Sequence, residues 1–528
     1  MKSASSYYFV GSGIASLAGA AFLIRDGGVA GKDIIIFEEQ ADFGGALDAH
    51  GSAESGYFMS GSRMFESKYV CTFDLLASIP SGSDPTISVT DETNRVRVEN
   101  SWNDKARLAD WHGNITPFHK LGFSERDRSD LLIILAEPEG RLDGKRISDC
   151  FAPPLFQTNF WYEWSTLFAF QPWHSAIEFK RYLLRFIHHF STIDTEEGVY
   201  RTNFNQYDSI AVPLVTWLRE RGVRIRFETV VTDLGFKGTS GKNITVDTIE
   251  YSISGNAATT LPVGDRDFVF VTNGSMTADK AFGSTTAAPV LDRSGRSGAW
   301  RLWRTLARGR PLFGNPAAFE GHINESVWES FSVTDKDPRF LRLMQDFTDS
   351  VPGRGGLTTF KDSNWLLTVS IFHQPFFANQ PTDVSVWWGY GLYYDQPGNY
   401  VPKPMGACSG REILQEVLGH MHVDGGDAAA ILDSSTVIPC AMPYITSQFL
   451  MRKGGDRPDV VPPGSKNLAF IGQFSELPDD VVFTVEYSIR SAQTAVYTLL
   501  GLDKKVPPVY KGMHDPRVIF EALETLLR

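Results

Sequence analysis

The feature that most constrains this chain is a pair of apolar runs, each ending in glycine, at its opposite ends. Tyr7-Tyr8-Phe9-Val10-Gly11-Ser12-Gly13-Ile14-Ala15-Ser16 is a strand-like segment that turns through two glycines into a helix of small residues. Leu468-Ala469-Phe470-Ile471-Gly472-Gln473-Phe474 is a second such segment, followed by a helix-like run from Glu486 to Leu500. A chain built this way must begin a parallel sheet, make a long excursion and return to finish the same sheet.

The first turn has a phosphate-binding logic. Gly11 permits the tight turn, Gly13 lets backbone approach a pyrophosphate, and the helix through Ile14 and Ala15 aims free N–H groups at it. Ser16 stands where a third glycine is usual. Asp33–Phe37 reads as the next parallel strand, and Glu38, with Glu39 beside it, follows about 25 residues after the turn, where a carboxylate binds a ribose diol. Gly44-Gly45 supplies a second glycine turn. The two ends together look like halves of one FAD site, with Asn273 and Gly472 expected to close it.

Composition limits the alternatives. At 528 residues there is length for more than one domain. A net charge of −12 argues against a nucleic-acid partner, which needs a basic footprint. Cys71, Cys150, Cys408 and Cys440 are scattered without a CxxC pair, so reduced thiols in a cytoplasmic protein are expected, with neither a disulfide framework nor a zinc site. Lys2 and the run Tyr7–Ile24 imitate a signal peptide, but the glycine spacing and the strand after it read as mature structure. No uninterrupted apolar run reaches the roughly 18–20 residues of a membrane span.

The expected fold class is α/β: a Rossmann-like FAD-binding domain of the two-glycine-turn flavoprotein type, an inserted mixed α+β substrate domain and a C-terminal helical appendage. Residues 1–80, 201–295 and 441–502 are assigned to the first, 81–200 and 296–440 to the second, and 503–528 to the appendage. A helix is expected over Ser209–Arg221, and one helical stripe through Glu178, Tyr182, Arg185 and His189. The 37 phenylalanines and the aromatic clusters around Phe156–Trp173, Phe186–Phe190 and Trp365–Tyr394 suit core, and also a long apolar tunnel. Burying an eighteen-carbon tail gains on the order of 13 kcal/mol at about 0.8 per methylene.

The segment Phe168–His189, with Trp173 and Tyr182 inside it, resembles the signature region of the oleate hydratases, the FAD-dependent fatty-acid hydratase (myosin-cross-reactive antigen) family. Arg63–Glu66, Asn205–Ser209, Thr272–Thr277, Trp388–Leu392 and Val482–Gln493 match in family order. The resemblance implies redox-neutral addition of water to a cis double bond of a long-chain unsaturated fatty acid, giving a 10-hydroxy acid from oleate. It places the proton donor at Tyr182, an active-site glutamine at Gln206, substrate contacts at Trp173, Asn205 and Ser370, and cofactor contacts at Phe483 and in the loop Gly61-Ser62-Arg63 over the flavin. A transient membrane-surface contact for substrate pickup is left open.

This chain departs from the family pattern twice. Ser60-Gly61-Ser62-Arg63-Met64-Phe65-Glu66 has Met64 in place of the glutamate held to activate water, and a thioether is no base. Either backbone and flavin position the water or Glu66, read as a solvated loop charge, takes over. At the carboxylate end Ser370 keeps a hydroxyl, but Phe372 and Phe376 replace two donors, with His373 a substitute. Two other classes stay in view: a desaturase- or amine-oxidase-like flavin oxidoreductase, and a non-catalytic fatty-acid-binding flavoprotein.

Overall fold

The computed structural model describes residues 5–117, 121–237, 243–253 and 255–527; Lys2 and the outermost ends of the first and last assigned segments lie outside them. A five-stranded parallel sheet forms the base, in the order Leu468–Ile471, Phe268–Thr272, Tyr7–Val10, Ile34–Phe37, Arg224–Arg226. Three of its strands, Tyr7–Val10, Ile34–Phe37 and Leu468–Ile471, are four-residue apolar blocks buried at all positions but Val10, the pattern of a parallel sheet covered on both faces. The first and last of the chain's apolar runs thus sit two places apart, separated only by Phe268–Thr272.

Local chemistry explains the turn beside the central strand. Gly11 has φ +89°, which side chains resist. The helix Ile14–Arg25 starts at Gly13 with no side-chain cap and no acid in its first turn, so its N-terminal N–H groups stay free. Gly19 lies against the Phe9 ring, where a Cβ would sit 2.7 Å from ring carbon, so helix and strand are in close contact. Helix Val485–Leu500, which follows the last strand of the sheet, packs against Ile14–Arg25.

A three-stranded antiparallel meander, Thr229–Lys237, Thr245–Ile253 and Thr259–Pro262, lies over one face of this sheet. The second large sheet has seven strands, ordered Ala281–Phe282, Ser435–Met442, Trp328–Asp335, Ser385–Gly391, Thr368–Ile371, Thr358–Phe360, Leu108–Ala109. Residues 281–282 and 108–109, far apart in sequence, therefore close its two edges.

The aromatic stretch forms two helices, Asn159–Phe168 and Ala176–Arg185, because Ala169 takes a left-handed turn (φ 63°) and Pro172 follows. Two expectations change. The stripe through Tyr182 stops at Arg185, and His189 sits in a 3₁₀ segment, Ile187–Thr192. The Ser209–Arg221 helix begins as a π-helical turn, Tyr207–Ala211, before α-helix Val212–Glu220 with Pro213 in its first turn. No helix among the described residues is long and apolar enough to cross a membrane.

Candidate active site

Two cavities meet at the end of the parallel sheet. The larger, about 710 Å³, opens at the C-terminal ends of the strands, where ligands bind in open α/β sheets. Gly11, Gly13, Ile14 and Ala15 line one side, Glu38, Glu39 and Gly45 a second, and Asn273, Gly472, Phe483 and Arg63 the rest. The two glycine turns support each other: the Gly44 N–H donates to the Ser12 carbonyl (3.1 Å), and a Cβ on Gly45 would fall 3.1 Å from the Gly13 Cα. Gly44 and Ser16 stand behind the wall, Ser16 with its Oγ 3.2 Å from the Thr272 hydroxyl.

The polar groups around this cavity are set by backbone and burial. Glu38 accepts from the Ser12 N–H (2.7 Å) and hydroxyl (2.6 Å), which orients its carboxylate at the strand end. Burial pushes the Glu39 carboxyl up, opposed by the Gly298 N–H it accepts. Asn273 is buried with neither amide atom bonded, although buried polar groups are nearly always paired.

The second cavity, about 130 Å³, shares Arg63, Phe483, Thr484 and Val485 with the first. Gly61, Ser62, Met64 and Glu66 form one wall and Tyr182 another. Its remaining wall is aromatic and apolar, including Phe168, Phe186, Trp328 and Trp388. Arg63 stands at the junction, where burial pulls its guanidinium down to about 10 against the opposing charge of Asp48.

Tyr182 is 1 % exposed and packed edge-on to Phe168, Phe170 and Phe449. Its hydroxyl donates to the Val482 carbonyl at 2.5 Å. Burial raises its pKa well above the ordinary phenol value, with the Arg185 charge working against it. The phenol therefore holds its proton across the physiological range.

Glu66 corrects the reading of a solvated loop charge. Phe65 pairs with Tyr200 in a short antiparallel ladder, which draws the chain inward, and Glu66 is 2 % exposed. Arg185 Nη2 lies 2.9 Å from one carboxylate oxygen; His188 Nε2 and His189 Nε2 lie 3.4 and 3.9 Å from the other. Burial alone would push the Glu66 carboxyl up, but the histidine hydrogen bonds and the Arg185 charge hold it well below the usual carboxylate range. A carboxylate so held is a weak base. Glu66, His188 and His189 offer three ligand atoms within 4.8 Å of one another, a geometry open to a cation, though Arg185 already supplies positive charge there.

The structure does not bring five expected residues to either cavity. Trp173 donates its indole N–H to the Glu325 carbonyl (2.8 Å), because the turn at Pro172 directs it outward. Asn205 is engaged by Asp208 and the Phe376 carbonyl at the head of the π-helical turn. Gln206, next to it, is buried with both amide atoms unpaired but away from both cavity walls. Ser370 donates to the Gly356 carbonyl (2.7 Å), and His373 Nε2 lies 2.5 Å from the Asn203 carbonyl. Phe372 and Phe376 stack on each other at 4.1 Å. Two residues escaped sequence reasoning: Trp328, an isolated aromatic outside the clusters, and Arg201, which bonds Ser62 behind the second cavity. Only its position four residues before Asn205 could have drawn attention to Arg201.

Comparison with known proteins places this geometry. The fold is similar to that of an oxidoreductase from Methanosarcina mazei, with a TM-score of 0.51 at 12 % identity over 93 % of this chain and 99 % of that one. In sequence the chain is 38 % identical to an oleate hydratase from Streptococcus pyogenes serotype M49 (strain NZ131), covering 98 % of this chain and 89 % of the relative. It is 33 % identical to a linoleate hydratase from Lactiplantibacillus plantarum, covering 99 % and 98 %. A model of the MCRA family matches residues 4–497, and with these two full-length relatives it establishes that the chain belongs to the MCRA family.

Proposed function

We propose that this protein adds water across a cis double bond of a free long-chain unsaturated fatty acid, with FAD in the larger cavity and the alkene in the smaller one. The observation that carries the reading is the similarity, over nearly the whole chain, to two fatty-acid hydratases. The adjoining cavities fit it: one polar and glycine-edged, the other aromatic, with a buried phenol at its wall.

The residues present suit FAD. A Cβ on Gly13 would meet nothing within 4 Å, so that glycine keeps open space at an uncapped helix N-terminus, where a pyrophosphate is favoured. Glu38 is oriented for a ribose diol, and the unpaired Asn273 amide awaits a polar partner. FAD bound there would supply a flat ring edge and a fixed field beside the alkene, with no net electron transfer.

Within this reading Tyr182 delivers its proton to one alkene carbon while water bonds to the other, and the proton that the water sheds restores the phenol. The balance is one alkene plus one water giving one alcohol. Arg185, one helical turn on, offsets the charge left on the phenolate. Met64 cannot accept the water's proton, and Glu66 is tied to Arg185, so backbone carbonyls are left to orient the water. Arg63 and Phe483, on the walls of both cavities, would hold the cofactor and the alkene chain on either side of their junction.

Met64 also favours a second reading, a flavoprotein that binds fatty acid without turning it over. Purified protein incubated with oleate and FAD under reducing conditions separates the readings. Hydration gives a product one water heavier, with no consumption of oxygen or NAD(P)H. Absence of product from any unsaturated acid refutes it in favour of binding, and oxidant consumption stoichiometric with product refutes it in favour of an oxidoreductase.

A further inference from the structure

Arg201 is a buried cation hydrogen-bonded only to neutral groups. It is 3 % exposed, and its guanidinium lies over the rings of Trp102 (4.5 Å) and Phe372 (5.1 Å). Its hydrogen bonds all go to neutral acceptors: Nε to the Ser62 hydroxyl (3.0 Å), and Nη2 to the Ser370 hydroxyl (2.8 Å) and the Gly356 carbonyl (3.2 Å). Nη1 is buried without a partner. No ion pair among the described residues includes Arg201.

Two buried acids, Asp104 and Glu196, act on it through their charge, but neither forms an ion pair with it. Asp104 accepts from the Ala106 N–H (2.9 Å) and the Gly356 N–H (3.2 Å), and Glu196 pairs with Arg107 Nε at 3.2 Å. Burial pulls the Arg201 guanidinium down to about 10 despite them. Burying a guanidinium costs several kcal/mol unless it is paired, and its planar fork is shaped for a carboxylate.

Its place in the molecule fits an anion that arrives with an apolar chain. Ser62, which accepts from Nε, belongs to the wall of the smaller cavity. Arg201 also shares a narrow cleft with His373, Trp102 and Tyr200. The donors expected at Phe372 and Phe376 are absent, and the Ser370 hydroxyl already donates to the Gly356 carbonyl. Phe372, backed by Phe376, instead provides an aromatic seat for the guanidinium.

We propose that Arg201 is the carboxylate anchor of this chain, seated on Phe372, and that it sets the preference for free fatty acids over neutral lipids of the same length. The substrate class rests on the hydration reading, so the test uses ligands that cannot be hydrated. Affinities of stearate and stearyl alcohol are measured by titration calorimetry on full-length, FAD-loaded protein. Wild type is expected to bind the acid at least about tenfold more tightly than the alcohol. Arg201→Gln is expected to bring that ratio within about threefold by weakening the acid alone. Phe372→Leu, which keeps the charge but removes the seat, is expected to shift the ratio the same way and serves if Arg201→Gln does not fold. A wild-type ratio near one, or a ratio unchanged in the variants, overturns the proposal. Failure of wild type to hydrate oleate while the stearate preference holds overturns only the hydration reading.

Discussion

Tyr182→Phe separates chemistry from architecture more cleanly than any other substitution in this molecule. The change removes one oxygen and leaves the ring among Phe168, Phe170, Phe186 and Phe449, so packing is preserved. The structural loss is the hydrogen bond to the Val482 carbonyl, which is then left unpaired at a cost of about 1–3 kcal/mol. The catalytic loss is larger. A general acid contributes about 10²–10⁴-fold, which is about 2.7–5.4 kcal/mol of barrier at 1.36 per decade. The variant should therefore fold, keep FAD as judged by its visible absorbance, melt a little lower, and form hydroxy acid at least a hundredfold more slowly. Single-turnover formation of product, followed by mass spectrometry on protein of verified FAD content, gives the number. A loss under about tenfold assigns the proton to another donor, and loss of FAD together with activity would place Tyr182 in the architecture instead.

Gly13→Val should leave the fold intact, since a Cβ there meets no protein atom, but abolish FAD binding and hydration together; hydration by FAD-free protein at an undiminished rate contradicts the proposed role of the cofactor. Glu66→Gln should lower thermal stability, because breaking a buried ion pair costs about 3–5 kcal/mol in full, while turnover per folded molecule stays within a few-fold; a hundredfold loss with folding intact makes Glu66 the base. Glu163, pushed up to about 8 by burial, binds its proton more tightly folded than unfolded, so its contribution is complete below the unfolded value near 4.3 and is lost as pH rises toward 8. Melting temperatures from pH 5 to 8 should fall less steeply in Glu163→Gln than in wild type, and equal slopes count against this assignment.

The parts of the fold that were legible in the sequence are those where backbone geometry dictates residue type locally. Gly11 is needed for a positive φ, and four-residue apolar blocks announce a sheet covered on both faces. What stayed hidden depends on partners distant in sequence. Glu66 reads as a loop charge until Phe65 pairs with Tyr200 and brings it to Arg185. Arg201 carries no motif of its own, and only the fold brings Trp102, Phe372, Ser62 and Ser370 to it. The family resemblance puts Trp173 in the site, but the turn at Pro172 points its indole at Glu325.

The return of Leu468–Ile471 to the edge of the parallel sheet has a consequence for biosynthesis. Tyr7–Val10 and Phe268–Thr272 can pair as soon as both have left the ribosome, but the strand that covers Phe268–Thr272 begins only at residue 468 of 528. Until then the nascent protein carries an open apolar strand edge, a template for wrong pairing with other chains. The cofactor cannot shield it, because Gly472 and Phe483, which wall its cavity, arrive later still. Premature termination anywhere before the last strand should therefore yield aggregation-prone fragments, and the yield of full-length protein should depend more on chaperone capacity during synthesis than on flavin supply.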